Sequence, residues 1–389
     1  MAAPNTLTNL IPFAYAGLNI VSREQIGFAA AVTRNATTDR VALNQTVNVP
    51  IVGAATPVSI TPSNVSPDTG GTAPDNVTVT ISNQYQAPIA WNGDEQVVVG
   101  QTGLLDHVNS QRFAQAFRAI ANMVEVDLAA LHVYASRAYG TYNVQPFGTA
   151  GDLSDMAQCL KILEDNGAPD TDLHAVFSSD VTANLRGKQN VLFKVNESGT
   201  TDLLRRGVIG DIHGVQLHKS GQVKRAVTVG TNSGATTNTA GYAIGATVIT
   251  LAAAGTGTII AGDIITFAGD TEKYIVVSGD ADVSNGGSIT IAEPGLRKAI
   301  PASATAITTV AATDRNMIFS RSAIVLAARQ PYMPAGGDSA DDVQAVQDPV
   351  SGITFQIALY RQYRQTHIEV GLAWGVKMIS PRHTCLLIG

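Results

Sequence analysis

LLDHVNSQRFAQAFRAIANMVEVDLAALHVYASRAYG, residues 104–140, carries Phe113, Phe117, Ile120, Val124, Leu128, Leu131 and Ala135 at steps of four, three, four, four, three and four. That is the period of one helical face. Asp106 or Asn109 is placed to cap the start, and Gly140 follows the end, where a left-handed residue is tolerated. No proline interrupts the run. The spacing predicts a helix over 104–139, a rod of roughly 45–50 Å, long for a globular protein. The opposite face carries Arg112, Gln115, Arg118, Asn122, Glu125 and Asp127, so one side is expected to be buried and the other polar.

Upstream, residues 1–40 read as an arm. A short helical piece near 22–32 follows an irregular stretch broken by Pro12 and Gly17, and such a segment has little core of its own. Residues 41–99 read as a long hairpin, VALNQTVNVPIVGAATPVSI leading out and VTVTISNQYQAPIAWNGDEQVVV returning. Its tip, TPSNVSPDTGGTAPDN, holds three prolines and two adjacent glycines, the composition of a turn region. An isolated two-stranded ribbon is marginal in water, so this one needs a partner surface. Its acids are Asp68, Asp75, Asp94 and Glu95, with no Lys or Arg between Arg40 and Arg112. A ribbon of this charge suits a basic surface, and Arg112 and Arg118 of a neighbouring copy are the candidates. The plain alternative is a solvated acidic loop.

Downstream, Leu153, Met156, Leu160 and Leu163 make the buried stripe of a helix over 152–166, capped by Asp152 and ended by Gly167. LHAVFSS (173–179) reads as a strand, followed by a helix capped by Ser179 or Asp180. RRGVIGDIHGVQLHKS (205–220) reads as a twisted strand pair with tight glycine turns. Residues 223–314 lose the helical pattern: ATVITLAAAG, GDIITFAG, EKYIVVSGD and SITIAEPG are short strands between Gly turns, as in a small barrel or sandwich. From Arg315 the α+β character resumes with NMIFSRSAIVLAARQ, read as a strand running into a helix. Two long strands, GITFQIALYRQYRQ and THIEVGLAWGVKMI, close the chain. The simplest architecture is one α+β body interrupted by a β domain.

Only 14% of the 389 residues are charged, against about 25% in ordinary soluble proteins, while 45% are hydrophobic. So little charge suggests that much of the surface faces other protein. The net charge of −6, with no Lys/Arg run beyond adjacent pairs, excludes tight phosphate neutralisation. Two cysteines, Cys159 and Cys385, far apart in sequence, allow one disulfide, but with no framework they read as reduced thiols. No secretion signal and no 18-residue apolar run is found. The seven histidines are scattered; HExxH, CxxC and GxSxG are absent, so no metal, cofactor or catalytic constellation is indicated. DADVSNGG (280–287) loosely follows a calcium loop, but Ile291 stands where the bidentate Glu belongs. AAAGTGTIIAG lacks the Lys-Ser/Thr of a phosphate loop and reads as turns.

The order of these parts, and LTNLIPFAYAGLNIVSREQIGFAAAVTRN, RRGVIGDIHGVQLHKS, AGDIITFAGD and NMIFSRSAIVLAARQP in particular, resembles the major capsid proteins of tailed double-stranded DNA phages with the Hong Kong 97-type fold. Within them it is most similar to the short-tailed-phage coat proteins that carry an inserted β domain. The resemblance implies an N-terminal arm over 1–40 and an E-loop over 41–99. It also implies a peripheral domain over 100–167 with its spine helix at 104–139, an axial domain with closing strands over 168–222 and 315–389, and the insertion at 223–314. It implies hexamers and pentamers of one chain closing into an icosahedral virion shell, assembled in the host cytoplasm. The shell would enclose double-stranded DNA without specific binding, beside a separate scaffolding protein, a portal and a decoration or cement protein, with no enzymatic role and no membrane. Closure of this kind asks one chain to make several similar but non-identical contacts. One departure is decided by composition: no lysine precedes Lys161, so the hairpin cannot supply the amine for a covalent cross-link, and a noncovalent shell is expected. Other readings are an encapsulin-like compartment, which would need no β insertion, and a surface β-rich adhesion protein, against which the long helix and missing signal argue.

Overall fold

The computed structural model describes residues 7–24, 27–51, 75–101, 105–189, 210–223, 227–334, 336–348 and 352–389. Helices and strands alternate in a mixed α+β chain. The N-terminal helix α1 (Leu7–Glu24) and one turn of helix, α2 (Phe28–Ala31), lead to the long helix. The sequence reading placed this first helix at 22–32; it begins fifteen residues earlier because Ala14 and Leu18 pack on the long helix. Pro12 sits in its second turn and forfeits one backbone bond, which that packing outweighs. Gly17 lets the two backbones touch: a Cβ there would lie 2.8 Å from the Ala114 nitrogen and 2.9 Å from the Ser110 carbonyl oxygen.

Strand β1 (Thr33–Val41) then enters the main sheet, and β2 (Thr46–Ile51) and β3 (Asp75–Thr80) form a ribbon paired only with each other. Strand β4 (Asn83–Asn92) returns to the main sheet, and α3 (Gly93–Gln101) precedes the long helix. Among the described residues the self-paired strands are therefore 46–51 and 75–80, and not the whole of the hairpin read at 41–99. Residues 33–41 and 83–92 belong to the body, and GDEQVVV is helical because Asn92 caps it: the Asn92 side-chain oxygen accepts from the Glu95 N–H at 2.8 Å, and the Glu95 carboxylate accepts from the Asn92 N–H at 3.2 Å. That reciprocal pair is a capping box.

The long helix α4 spans Leu105–Ala130 and tightens into a 3-10 turn, Leu131–Tyr134. All seven positions of its apolar stripe are buried. Helix does not reach 139, because Arg137–Gly140 is strand β5, paired in parallel with the last strand, β19 (Thr384–Ile388). The far side is not uniformly polar either. Glu125 is 3% exposed, and Asp127 accepts from Trp374 Nε1 at 2.7 Å and Asn83 Nδ2 at 2.6 Å.

The main sheet runs β1-β15-β18-β17-β16, with β15 (Ile324–Pro331), β16 (Asp342–Gln347), β17 (Thr354–Gln362) and β18 (Gln365–Met378); β4 lines the other edge of β18. One face buries Phe355, Ile357, Val370 and Leu372 against α1 and α4, where Phe117 meets Phe355 edge-on at 5.0 Å. Residues 324–331, read above as helix, form a strand because both faces are covered: Ile324, Leu326 and Ala328 join the main core, Val325 and Ala327 a second cluster. A strand buried on both sides reads as a continuous apolar run, without alternation.

The second sheet runs β13-β10-β11-β5-β19-β14-β6-β8-β7, from β13 (Ile307–Thr309), β10 (Ile264–Phe267) and β11 (Lys273–Ser278) to β14 (Asn316–Ser320), β6 (Leu173–Phe177), β8 (Val215–Lys219) and β7 (Asp211–Ile212). Helices α5 (Ser154–Asp165) and α6 (Ser179–Gly187) cover its middle through Met156, Leu163, Val181 and Leu185. Ser178, one residue before the expected caps, caps α6. Asp155 is drawn from α5 to accept the Phe147 N–H at 2.7 Å. Cys159 and Cys385 are free and meet in this core, the Cys385 thiol 3.6 Å from the Cys159 carbonyl oxygen. Burial pushes the Cys159 thiol up.

The strands expected at ATVITLAAAG, GDIITFAG, EKYIVVSGD and SITIAEPG are β9 (Val248–Thr250), β10, β11 and β12 (Ser288–Ile291), gathered around Ile249, Phe267, Val276 and Ile289. They are continuous with the body, because β11 pairs with β5 through Tyr274–Arg137 and Lys273–Ala138. Buried Arg137 seals that seam with Glu272 at 2.7 Å. The 280–287 loop uses its acids internally: Asp280 accepts from the Asp282 N–H, and Asp282 from Ser284 and Asn285.

Candidate functional site: surfaces left open

The ribbon grows out of the second face of the main sheet. Val79 and Ile81 are buried there with Val325, Ala327 and Ala373, and Lys377 Nζ donates to the Thr78 carbonyl at 3.0 Å. Gly375 is required at the crossing, since a Cβ would run into the Thr80 carbonyl. Outward from this root, Val47, Val49, Ile51 and Val77 alternate with exposed residues but are only half-buried. Strand alternation has thus made an apolar row that the described residues cover only in part.

Of the acids expected on the ribbon, Asp68 lies outside the described residues, as does the side chain of Asp75. Asp94 and Glu95 sit exposed on the first turn of α3, at the base of β4 and not on the ribbon, where acids complement the helix N-terminus. Glu95 is engaged in its capping box. Arg112 is spoken for within the chain: its guanidinium lies 3.8 Å over the Trp91 ring and donates to the Ala90 carbonyl at 2.8 Å. Arg118, two turns along α4, is half-buried. Thus Asp94, Glu95 and Arg112 share the β4–α3–α4 corner. Beside them an apolar groove of about 520 Å³ runs between Ala87–Ala90 of β4 and His107, Gln111, Gln115 and Ala119 of α4. Val97 and Val98 of α3 are 59% and 64% exposed. Strand β4 is an edge, and Pro88 removes one of its donors.

Two features escaped the sequence reading. Glu125 accepts from the Phe28 N–H (2.9 Å), the Ala29 N–H (2.8 Å) and Ser220 Oγ (2.8 Å), tying the arm, α4 and the end of β8 at one buried carboxylate. Desolvation pushes its carboxyl up, opposed by those three donors. The second is a polar chain on the other sheet, where Asp172 Oδ1 contacts His174 Nε2 and His174 Nδ1 contacts His218 Nε2, each at 2.9 Å. Burial, His174 and Arg321 lower His218 to about 4. The 2-residue step from Asp172 to His174 was visible, but the partner His218 comes from another strand. Among the described residues no group of three His, Cys, Asp or Glu could hold a metal ion, and no helix is long and apolar enough to cross a membrane.

No protein-family model and no curated protein matches the sequence. Among solved structures, the cyanophage P-SCSP1u capsid is similar at TM-score 0.44 and 11% identity, covering 94% of this chain and 87% of that one. A virus-like particle from Pyrococcus furiosus is similar at TM-score 0.43 and 7% identity, covering 97% and 98%. A Mycobacterium phage Che8 structure follows at TM-score 0.42 and 12% identity, covering 88% and 84%. The proteins to which this chain is similar in structure include phage capsids and a virus-like particle.

Proposed function

We propose that the chain is the major capsid protein of a tailed phage, a Hong Kong 97-type subunit that assembles noncovalently into a closed shell around double-stranded DNA. The observation that supports this is the β2–β3 ribbon: a half-covered apolar row, self-paired and rooted on the second face of the main sheet. A ribbon of that kind is stabilised when a second subunit covers it. In this reading it is the E-loop, α4 the spine helix, and 223–314 the inserted domain, stitched to the body by β11–β5. The low charge follows, because most faces meet other copies.

Hexamers and pentamers, a separate scaffolding protein, a portal and a decoration protein belong to the same proposal. So does an electrostatic contact between copies in which Asp68, Asp75, Asp94 and Glu95 approach Arg112 and Arg118. Asp94→Lys tests one part of it without disturbing the Glu95 cap: weaker assembly and altered salt dependence are expected, and unchanged assembly would remove Asp94 from the contact. The reading as a whole is tested by negative-stain microscopy of the expressed chain with and without a co-expressed scaffolding protein. Closed shells, or capsomers that become shells with scaffold, are expected.

A further inference from the structure

The second face of the main sheet carries a cleft of about 330 Å³ beyond the ribbon root. Its floor is Gln84 and Gln86 of β4, Gln356, Ala358 and Tyr360 of β17, and Glu369 and Gly371 of β18, residues that pair across neighbouring strands. Gly371, between Gln86 and Gln356, leaves the dent. Pro331, Tyr332 and Met333, with Leu43 and Asp338, form the rim.

The chemistry of this cleft is one-sided. Two carboxylates line it, and no Lys or Arg does among the described residues. Glu369 Oε1 already receives Gln86 Nε2 at 3.2 Å and contacts His367 Nε2 at 3.0 Å, which fixes the carboxylate and leaves Oε2 without a partner among the described residues. Asp338 is held by the Tyr360 hydroxyl at 2.6 Å and the Ser339 N–H at 2.6 Å. Gln356 is only 7% exposed, and its buried Oε1 has no hydrogen-bond partner. A buried amide oxygen without a donor is costly, but this one is closed off from solvent beneath the floor, so the groups open to a guest are the two carboxylates.

A donor of matching chemistry projects from the same sheet. The β17–β18 hairpin turns through Tyr363 and Arg364 between paired Gln362 and Gln365. Tyr363 is 91% exposed, and Arg364, at φ 56°, is exposed and makes no hydrogen bond or ion pair with the described residues. A guanidinium brings five donors in a fixed fork, which suits two carboxylates lining one cleft.

We infer that the cleft is the receptor for Arg364 of a second copy, whose exposed Tyr363 packs on the apolar rim. The contact is head-to-tail, so each copy gives a tip and receives one. It rests on the shell reading above, and adds to it a defined pair of surfaces.

The test uses two pools of the full chain, one Tyr363→Cys and one Leu43→Cys, mixed under assembly conditions and mildly oxidised. The native thiols are buried and do not compete. A disulfide-linked dimer in the mixture, absent from either pool alone, is expected. In parallel, Arg364→Glu should raise the concentration for half-assembly about tenfold or more through like-charge contact, with the melting of the subunit unchanged. Glu369→Gln should weaken assembly, and Arg364→Ala should add little further loss in that background. Normal assembly of the mixed Tyr363→Cys and Leu43→Cys pools without cross-linking, or assembly of Arg364→Glu at the wild-type concentration, overturns this inference and leaves the shell reading standing. Wild type that never assembles overturns both.

Discussion

Helix α4 and the β2–β3 pair are both regular and built on a clean apolar period, yet the described residues cover one fully and the other only in part. The five stripe positions within α4 are all buried, against α1 and the main sheet. The ribbon row is buried at its root and half-buried beyond it. Periodicity alone does not distinguish them. What does is the cover: α4 receives it from segments before and after it in sequence, whereas the described residues cover the outer ribbon only in part. An apolar period that the described chain leaves half-exposed is the kind of surface another molecule can cover.

That contrast can be broken experimentally from the stability side first. Phe117→Ala should cost about 3–5 kcal/mol, because it removes a ring packed on Phe113 and Phe355, and should lower the melting temperature of the isolated subunit steeply. Glu125→Gln places an NH₂ against backbone donors and should cost about 1–3 kcal/mol in chemical denaturation. The sign of its pH dependence follows from the raised carboxyl: its contribution is fully present below about 4.5 and lost as pH rises through the native value, so the variant should lose that slope. His218 has the opposite sign. Held down at about 4 against an ordinary 6.5, it stabilises above pH 6.5 and withdraws that stability as pH falls toward 4; His218→Gln should flatten thermal melts across this window. The smallest expected effect is Arg112→Gln, which removes the stack on Trp91 and should cost about 0.5–1 kcal/mol.

How much of this was legible follows from where each cover comes from. The α4 stripe, the two closing strands and the glycine-punctuated strands of 248–291 were readable because their periods lie within one segment. Glu125 was read as part of a polar face because the groups that bury it arrive from residues 28, 29 and 220. Strand β15 was taken for helix because burial on both faces erases alternation, and α4 was drawn too long because β19, at the far end of the chain, captures Arg137–Gly140. The cleft was not legible at all. It is assembled from four strands and two loops around Gly371, and its diagnostic feature, the meeting of Asp338 and Glu369 with no basic group among the described lining residues, exists only in three dimensions.

The central claim is that the ribbon serves assembly and not the fold. The chain offers a clean excision: Asn48 pairs with Thr78, so Asn-Gly in place of residues 49–77 forms a tight hairpin and keeps Val47 and Val79 on their root. Sedimentation velocity of the shortened and full-length chains, side by side with and without scaffold, is the most direct measurement. The account predicts that full-length chain forms capsomers and shells while the shortened chain stays a monomer with an unchanged melting temperature. A shortened chain that assembles like the full one, or a full-length chain that remains a 40.5 kDa monomer throughout, would contradict it.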